Sequence, residues 1–252
     1  MKTVLDFYNF LNEIAPFENQ EAWDNSGLLV GDFQNEVKKV AVVLDVNFDT
    51  MKEAIDKKAD LIISHHPLIF KPKKKFTSDS IEYQLAKNNI SVISSHTCFD
   101  STDDGVNDIL CELLEMKDVE KFETFDTVKP IVRVGKIEKI SSEKLAQKIA
   151  VILGGKVAFA DAKNEIKTLA VCTGSGGDFI GEILKNNIDA YLTGEAGYHQ
   201  MCDAKDNGLT VICAGHFETE KPAMENISKR LKEKFPDVEI ISLDEKCPIK
   251  YF

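Results

Sequence analysis

The sequence predicts an α/β protein made of two similar α/β domains with largely parallel sheets. Apolar runs of strand length alternate with stretches of helical periodicity, the pattern of βαβ units. That pattern then returns. "LAVCTGSGGDFIGEILKNNIDAYLTGE" (169–195) aligns without a gap on "VAVVLDVNFDTMKEAIDKKADLIISHH" (40–66) at an offset of 129. Ala41 meets Ala170, Asp49 meets Asp178, Glu53 meets Glu182, Asp60 meets Asp189 and Ser64 meets Thr193. "AKNNISVISSH" (86–96) resembles "AKDNGLTVICAGH" (204–216) once small insertions are allowed. The order strand–helix–strand–site–helix–strand–site thus occurs twice, as a duplication would leave it.

Along the chain, residues 3–14 place Val4, Phe7, Tyr8, Leu11 and Ile14 on one face and predict an amphipathic helix. Asp6 and Glu13 inside that pattern argue against a signal peptide. After the turn-rich "WDNSGLLVGD" (23–32) come a strand at 39–46, a helix at 49–58 and a strand at 59–64. A helix at about 79–89, a strand at 90–95 and a helix at 103–115 complete this part. Between 127 and 168 the rhythm changes to a strand in "KPIVRVGKI", a helix from Ser142 to Leu153, and "GGKVAFA". The expected domains are therefore 1–126 with 236–252, and 127–235.

The chain has 252 residues, 43% of them hydrophobic, enough for substantial cores. Its net charge of −11 and pI near 5.0 lack the basic footprint of nucleic-acid or anionic-membrane binding. No run approaches the ~20 apolar residues of a membrane span, and a cytoplasmic location is expected. The six cysteines form no C-x-x-C pair and are expected as reduced, mostly buried thiols rather than a zinc knot. The lysines of "KPKKKF" (71–76) are expected in a solvated loop. Trp23 is expected in the core, with Asp24 and Asn25 bracing the site.

All five histidines fall at predicted strand ends or just beyond: His65, His66, His96, His199 and His216. Pro67 follows the pair at 65–66 and ends strand pairing there. His96-x-x-x-Asp100 closes the first repeat and His216-x-x-x-Glu220 the second. Ligands of open parallel sheets bind beyond the carboxyl ends of strands, so these groups are expected to gather in one cleft between the domains. Mixed imidazole and carboxylate ligands suit Zn, Mn, Fe, Co or Ni. A dinuclear site, with ions ~3.5–4 Å apart, needs a bridging carboxylate and a few further ligands each. His65, His66, Asp100, His216 and Glu220 supply that set. His96 is either a further ligand or an imidazole that orients Asp100. Glu195 stands at the repeat position of His66 and is a candidate general acid/base, with His96 the other candidate catalytic group. The loop Gly174, Ser175, Gly176 and Gly177 in "CTGSGGDF" links a strand to a helix. It is either a tight turn or a phosphate-holding loop. His199 is more readily a structural residue than a ligand.

"AWDNSGLLVGD", "DLIISHHPLIF", "HTCFDS" with "GVND", "CTGSGGDF", "DAYLTGEAGYHQ" and "AGHFETE" occur in this order. With them the chain resembles, over essentially its whole length, the GTP cyclohydrolase 1 type 2 homologue family. These are dinuclear-metal-centre ring proteins related to NGG-one-interacting factor three. The resemblance implies two divalent metal ions per subunit on His65, His66, Asp100, His216 and Glu220, with Glu220 as the bridge. It implies a toroidal homohexamer, a trimer of dimers. It also implies a small-molecule substrate such as GTP or another nucleotide, whose ring is opened by metal-activated hydroxide. The rival expectation is a metal-binding ring that scaffolds partners or handles metal without catalysis.

Overall fold

The computed structural model describes residues 1–124, 127–163 and 165–250. In chain order the first elements are β1 (Lys2–Thr3), α1 (Val4–Ile14), β2 (Gly27–Val30), β3 (Glu36–Val37), β4 (Lys39–Val43), α2 (Phe48–Asp56), β5 (Leu61–Ser64), α3 (Ile81–Lys87), β6 (Ser91–Ser94) and α4 (Thr97–Ser101). Then come α5 (Val106–Leu113), β7 (Lys117–Phe122), β8 (Val132–Ser141), α6 (Ser142–Leu153), β9 (Ala158–Ala160) and β10 (Glu165–Cys172). The last are α7 (Ile180–Ile183), β11 (Ala190–Thr193), α8 (Tyr198–Asp206), β12 (Thr210–Cys213), α9 (His216–Lys234) and β13 (Glu239–Ser242). The helix expected over 103–115 is α5; a short helix that was not expected, α4, precedes it directly after His96, and a turn with Asp104 at φ 55° separates the two.

The chain forms two compact units, Met1–Thr102 with Met224–Lys246, and Asp103–Ala223 with the residues from Cys247 onward. These limits differ from the expected boundaries at 126/127 and 235/236, and packing gives the reason. Leu110, Cys111, Leu114 and Met116 belong to the core of the second unit. Phe235 stacks in the first unit on Phe7, with ring centroids 4.2 Å apart, and edge-on against Phe10.

The first unit holds a five-stranded sheet in the order β13-β4-β5-β6-β2. All neighbours are parallel except β2, which runs antiparallel to β6. Ala41, Val43, Ile62 and Val92 point to one face and pack with Ala54 of α2 and Leu85 of α3. The alternate residues Val40, Val42, Leu61, Ile63 and Ile93 are buried as well. A parallel sheet covered on both faces reads as continuous apolar runs, which is what made these strands visible in the sequence.

The second unit holds a six-stranded mixed sheet, β7-β8-β10-β11-β12-β9. Its centre, β10-β11-β12, is parallel, while β7, β8 and β9 pair antiparallel. Leu169, Val171, Ala190, Leu192 and Ile212 pack with Leu110 of α5 and Leu145 and Ile149 of α6. Ala170, Cys172, Tyr191 and Val211 face the other way, onto Ile180 and Ile183 of α7 and Ala204 of α8. Arg133 of β8 is buried and forms a two-pronged ion pair with Asp108 of α5, at 2.5 and 3.2 Å.

The internal repeat extends to individual hydrogen bonds. Val40 pairs with Leu61, and Leu169 with Ala190, so both registers carry the offset of 129. The Asp60 carboxylate accepts from the backbone amides of Lys38 and Lys39 at 2.8 and 2.9 Å. The Asp189 carboxylate accepts from those of Lys167 and Thr168, both at 2.9 Å. Both positions sit just before a central strand and anchor the start of its neighbour. In the third strand Leu61 pairs with Ser91 and Ala190 with Thr210, so the offset falls to 119. The stretch containing "KPKKKF" accounts for the difference. Within it Lys73 lies on the buried carboxylate of Glu82, so this lysine is not simply solvated.

Candidate metal centre

In the first unit, β5 delivers two histidines at its carboxyl end. The His65 and His66 amides donate to the carbonyls of Val43 and Leu44, so β4 still holds the backbone there. Ser64 donates to the His66 carbonyl at 2.9 Å. β6 ends beside them and delivers His96, the residue that precedes α4. The ring centroids of His65, His66 and His96 are 5.1, 5.1 and 5.5 Å apart.

Each ring is aimed by its Nδ1. His65, fully buried, bonds through Nδ1 to the Ser95 carbonyl at 2.9 Å. His66 Nδ1 lies 2.8 Å from Asp45 Oδ1, and His96 Nδ1 lies 2.9 Å from Asp24 Oδ1. These partners only accept, so the Nδ1 atoms carry the hydrogens and the Nε2 atoms present lone pairs. One ligand atom from each ring falls within 4.8 Å of the others, a group able to hold a metal ion. Asp100 adds a carboxylate oxygen 3.4 Å from His65 Nε2. Imidazoles with the second nitrogen on a carboxylate or carbonyl are the usual form of metal-ligating histidine, so the donor set fits a divalent transition metal.

The supports are themselves supported. Asp24 is buried and accepts from Thr97 Oγ1, the Thr97 amide, Ser26 Oγ and the Asn25 amide, as well as from His96. Burial opposes ionisation of this carboxyl, but the hydrogen bonds from His96, Thr97 and Asn25 outweigh it and hold the pKa far below the usual range. Asp24 is thus the brace that "WDNSG" supplies. Behind Asp45, the Glu245 carboxylate accepts from the Leu44 and Asp45 amides at 2.8 and 2.6 Å. Burial raises the Glu245 pKa, against the lowering effect of those two amides.

In the second unit His216 opens α9, and Glu220 follows one turn later with Oε2 3.2 Å from His216 Nε2. Glu195, beyond β11, places Oε2 3.7 Å from His216 Nδ1. Gly174, at φ +62°, passes so close that a Cβ there would stand 2.2 Å from Glu220 Oε1 and 3.1 Å from His216 Nε2. Its amide donates to Thr219 Oγ1 and that of Gly176 to Thr193 Oγ1. Those two amides therefore serve the loop's own framework rather than an outward-facing anion cradle. A cavity of about 270 Å³ beside the loop is lined by Ser175, Gly177, Asp178, Glu195 and Gln200, a surface with two carboxylates. The two H-x-x-x-acid motifs are not in identical frames: the repeat register sets His96 against Gly215, whose φ of +91° admits one extra residue before His216.

A family model described as Duf34/NIF3 (NGG1p interacting factor 3) matches residues 2–248. The chain belongs to the Duf34/NIF3 family. Among curated relatives, it is 35% identical to a GTP cyclohydrolase 1 type 2 homolog of Clostridium perfringens, over 98% of both chains. It is 34% identical to a GTP cyclohydrolase 1 type 2 of Helicobacter pylori, over 88% of both. Among solved structures, a hypothetical protein of Staphylococcus aureus superposes with a TM-score of 0.91 at 24% identity, covering 99% of both chains. Reduced HcgD from Methanocaldococcus jannaschii superposes with a TM-score of 0.86 at 28% identity, covering 96% of this chain and 98% of that one.

Within this Duf34/NIF3 chain the five expected ligands lie in two sets. His65, His66 and Asp100 are grouped in the first unit, and His216 and Glu220 are paired in the second. His96 lies with His65 and His66 as a third imidazole of the first set. His199 lies in the first turn of α8 against Tyr198 and joins no such group among the described residues. Sequence reasoning missed Asp45 and Glu245. Asp45 was accessible to it, since it closes an apolar strand run just as the histidines do. Glu245 was not, because 200 residues separate it from the amide it holds. Trp23 is corrected: it is 58% exposed, not core.

Proposed function

We propose that the chain is a metal-dependent hydrolase acting on a nucleotide, with ring opening of the GTP cyclohydrolase kind as its reaction. Two divalent ions would be held by His65, His66, Asp100, His216 and Glu220. The observation that carries this reading is a group of three imidazoles, one ligand atom of each within 4.8 Å of the others, whose Nδ1 partners are all acceptors. Family membership and the names of the relatives support the substrate class.

Divalent cations bound at these residues supply Lewis acidity, which makes water a better nucleophile near neutral pH and polarises the centre under attack. The chain's own groups do the rest. Asp24, Asp45 and the Ser95 carbonyl fix the tautomers, so the imidazoles need no reorganisation on binding. Glu220 offers two oxygens beside His216 and is assigned as the bridging carboxylate. Glu195, half exposed and near His216 Nδ1, is assigned to hold and pass a proton. His96, whose ring lies 5.1 and 5.5 Å from those of His65 and His66, would be a further imidazole at that site. The same resemblance supports assembly as a toroidal homohexamer, which light scattering coupled to size exclusion would measure.

Metal-replete protein incubated with GTP should release formate, and chelation should stop it. Glu195→Gln should lose turnover while keeping its metal. No turnover of GTP, of a panel of phosphoesters or of cyclic amides would end the hydrolase reading. One observation favours the non-catalytic alternative, a metal-binding scaffold: Glu195 sits on a candidate ligand, as an orienting carboxylate would. Under that alternative Glu195→Gln changes metal retention and no turnover exists to lose.

A further inference from the structure

Trp23 and Phe70 stand beside His96. Their ring centroids are 5.7 Å apart, and they lie 6.0 and 6.2 Å from the imidazole. Both are open to solvent, at 58% and 45% exposure. A tryptophan ring buried in a core removes a large apolar area from water, so leaving it outside forgoes that stabilisation. The backbone nevertheless holds both rings in place. Trp23 precedes Asp24, which His96 and Thr97 grip, and Phe70 follows Ile69, whose carbonyl accepts from Asn25 Nδ2 at 2.6 Å. Two exposed rings, tethered through their neighbours' hydrogen bonds, thus border a group of three imidazoles.

We propose that Trp23, backed by Phe70, stacks on one face of the nucleotide's planar base and clamps it against the site while its reacting part meets the imidazoles; this rests on the nucleotide reading above. Two side chains offer far less area than the ~800 Å² per partner of a stable protein interface, but they suit one flat heteroaromatic ring. Stacking on aromatic faces accepts any base, and the polar edge of the ring would lie toward His96.

Trp23 is the only tryptophan in the chain, so its emission reports this place alone. The test titrates zinc-loaded protein with GTP and with inorganic tripolyphosphate, following fluorescence and heat together. GTP should quench the emission saturably and tripolyphosphate should not. Phe70→Ala should weaken GTP binding about tenfold, within the range that loss of one stacking ring causes. Its metal content should be unchanged, and Phe70→Tyr should restore affinity. GTP binding with emission unmoved and Phe70→Ala unaffected would overturn the clamp and leave the nucleotide reading standing. No binding of GTP or of other purine and pyrimidine triphosphates would remove both. Emission that follows protein concentration rather than nucleotide would assign the rings to a contact between copies and overturn the clamp.

Discussion

An imidazole points where its second nitrogen is tethered, and in this chain the tethers are Asp24, Asp45 and the Ser95 carbonyl. Asp45→Ala should therefore lower metal affinity by about 10–100-fold, read by competition with a chromophoric chelator, with circular dichroism unchanged. An affinity that did not move would deny Asp45 that part. Burial shapes the thiols as strongly. Desolvation pushes the Cys111 pKa up to about 12. Its thiolate is then nearly absent at pH 8, and iodoacetamide should label Cys202 well before Cys111 in the folded protein. Peptide mass spectrometry after timed quenching would show it; equal rates would contradict a closed core around α5. At this scale the histidines were legible because a rare residue type recurred at strand ends with carboxylates at fixed spacing. Asp45 carried the same strand-end signal but is masked among 42 acidic residues, and Trp23 was misjudged because ring size alone argues for the interior.

Asp60 and Asp189 make the same two amide contacts in the two repeats, each at the start of a parallel pair. A charged acceptor on backbone amides contributes about 1.5–3 kcal/mol, so Asp60→Ala and Asp189→Ala should each destabilise by about 2 kcal/mol or more. Urea titration would measure both, and a large effect in one with none in the other would count against equivalent roles. Arg133→Ala leaves Asp108 without its two-pronged partner and should cost about 3 kcal/mol, visible as a lowered midpoint. The central parallel strands could be read because both faces are buried and the apolar run is unbroken. α6 could be read from its periodicity, with Ser141 accepting from the Lys144 amide to start it. The antiparallel edge strand β7, "KDVEKF", is almost wholly exposed and offers no alternation to detect. α4 is mostly buried and too short to show a helical period, so it hides in "HTCFDS".

On the scale of the molecule, the duplicated α/β pattern was legible as a repeat with an offset of 129, and the unit limits were not. Local rhythm changes near 127, whereas the cores recruit α5 and β7 to one unit and Met224–Lys246 to the other. Among the described residues, no helix is long and apolar enough to cross a membrane. The account depends on the chain holding metal through both histidine sets. Bound metal should also stabilise the fold, by about 2.7 kcal/mol when free metal stands at 100 times its dissociation constant, read as a raised unfolding midpoint. The most direct measurement is elemental analysis of protein loaded with a divalent metal and then desalted, alongside His65→Ala and His216→Ala. The account predicts about two ions per chain in the wild type and clear losses in each variant. Wild-type protein that emerges without metal, or a His216→Ala chain that keeps its full complement, would contradict it.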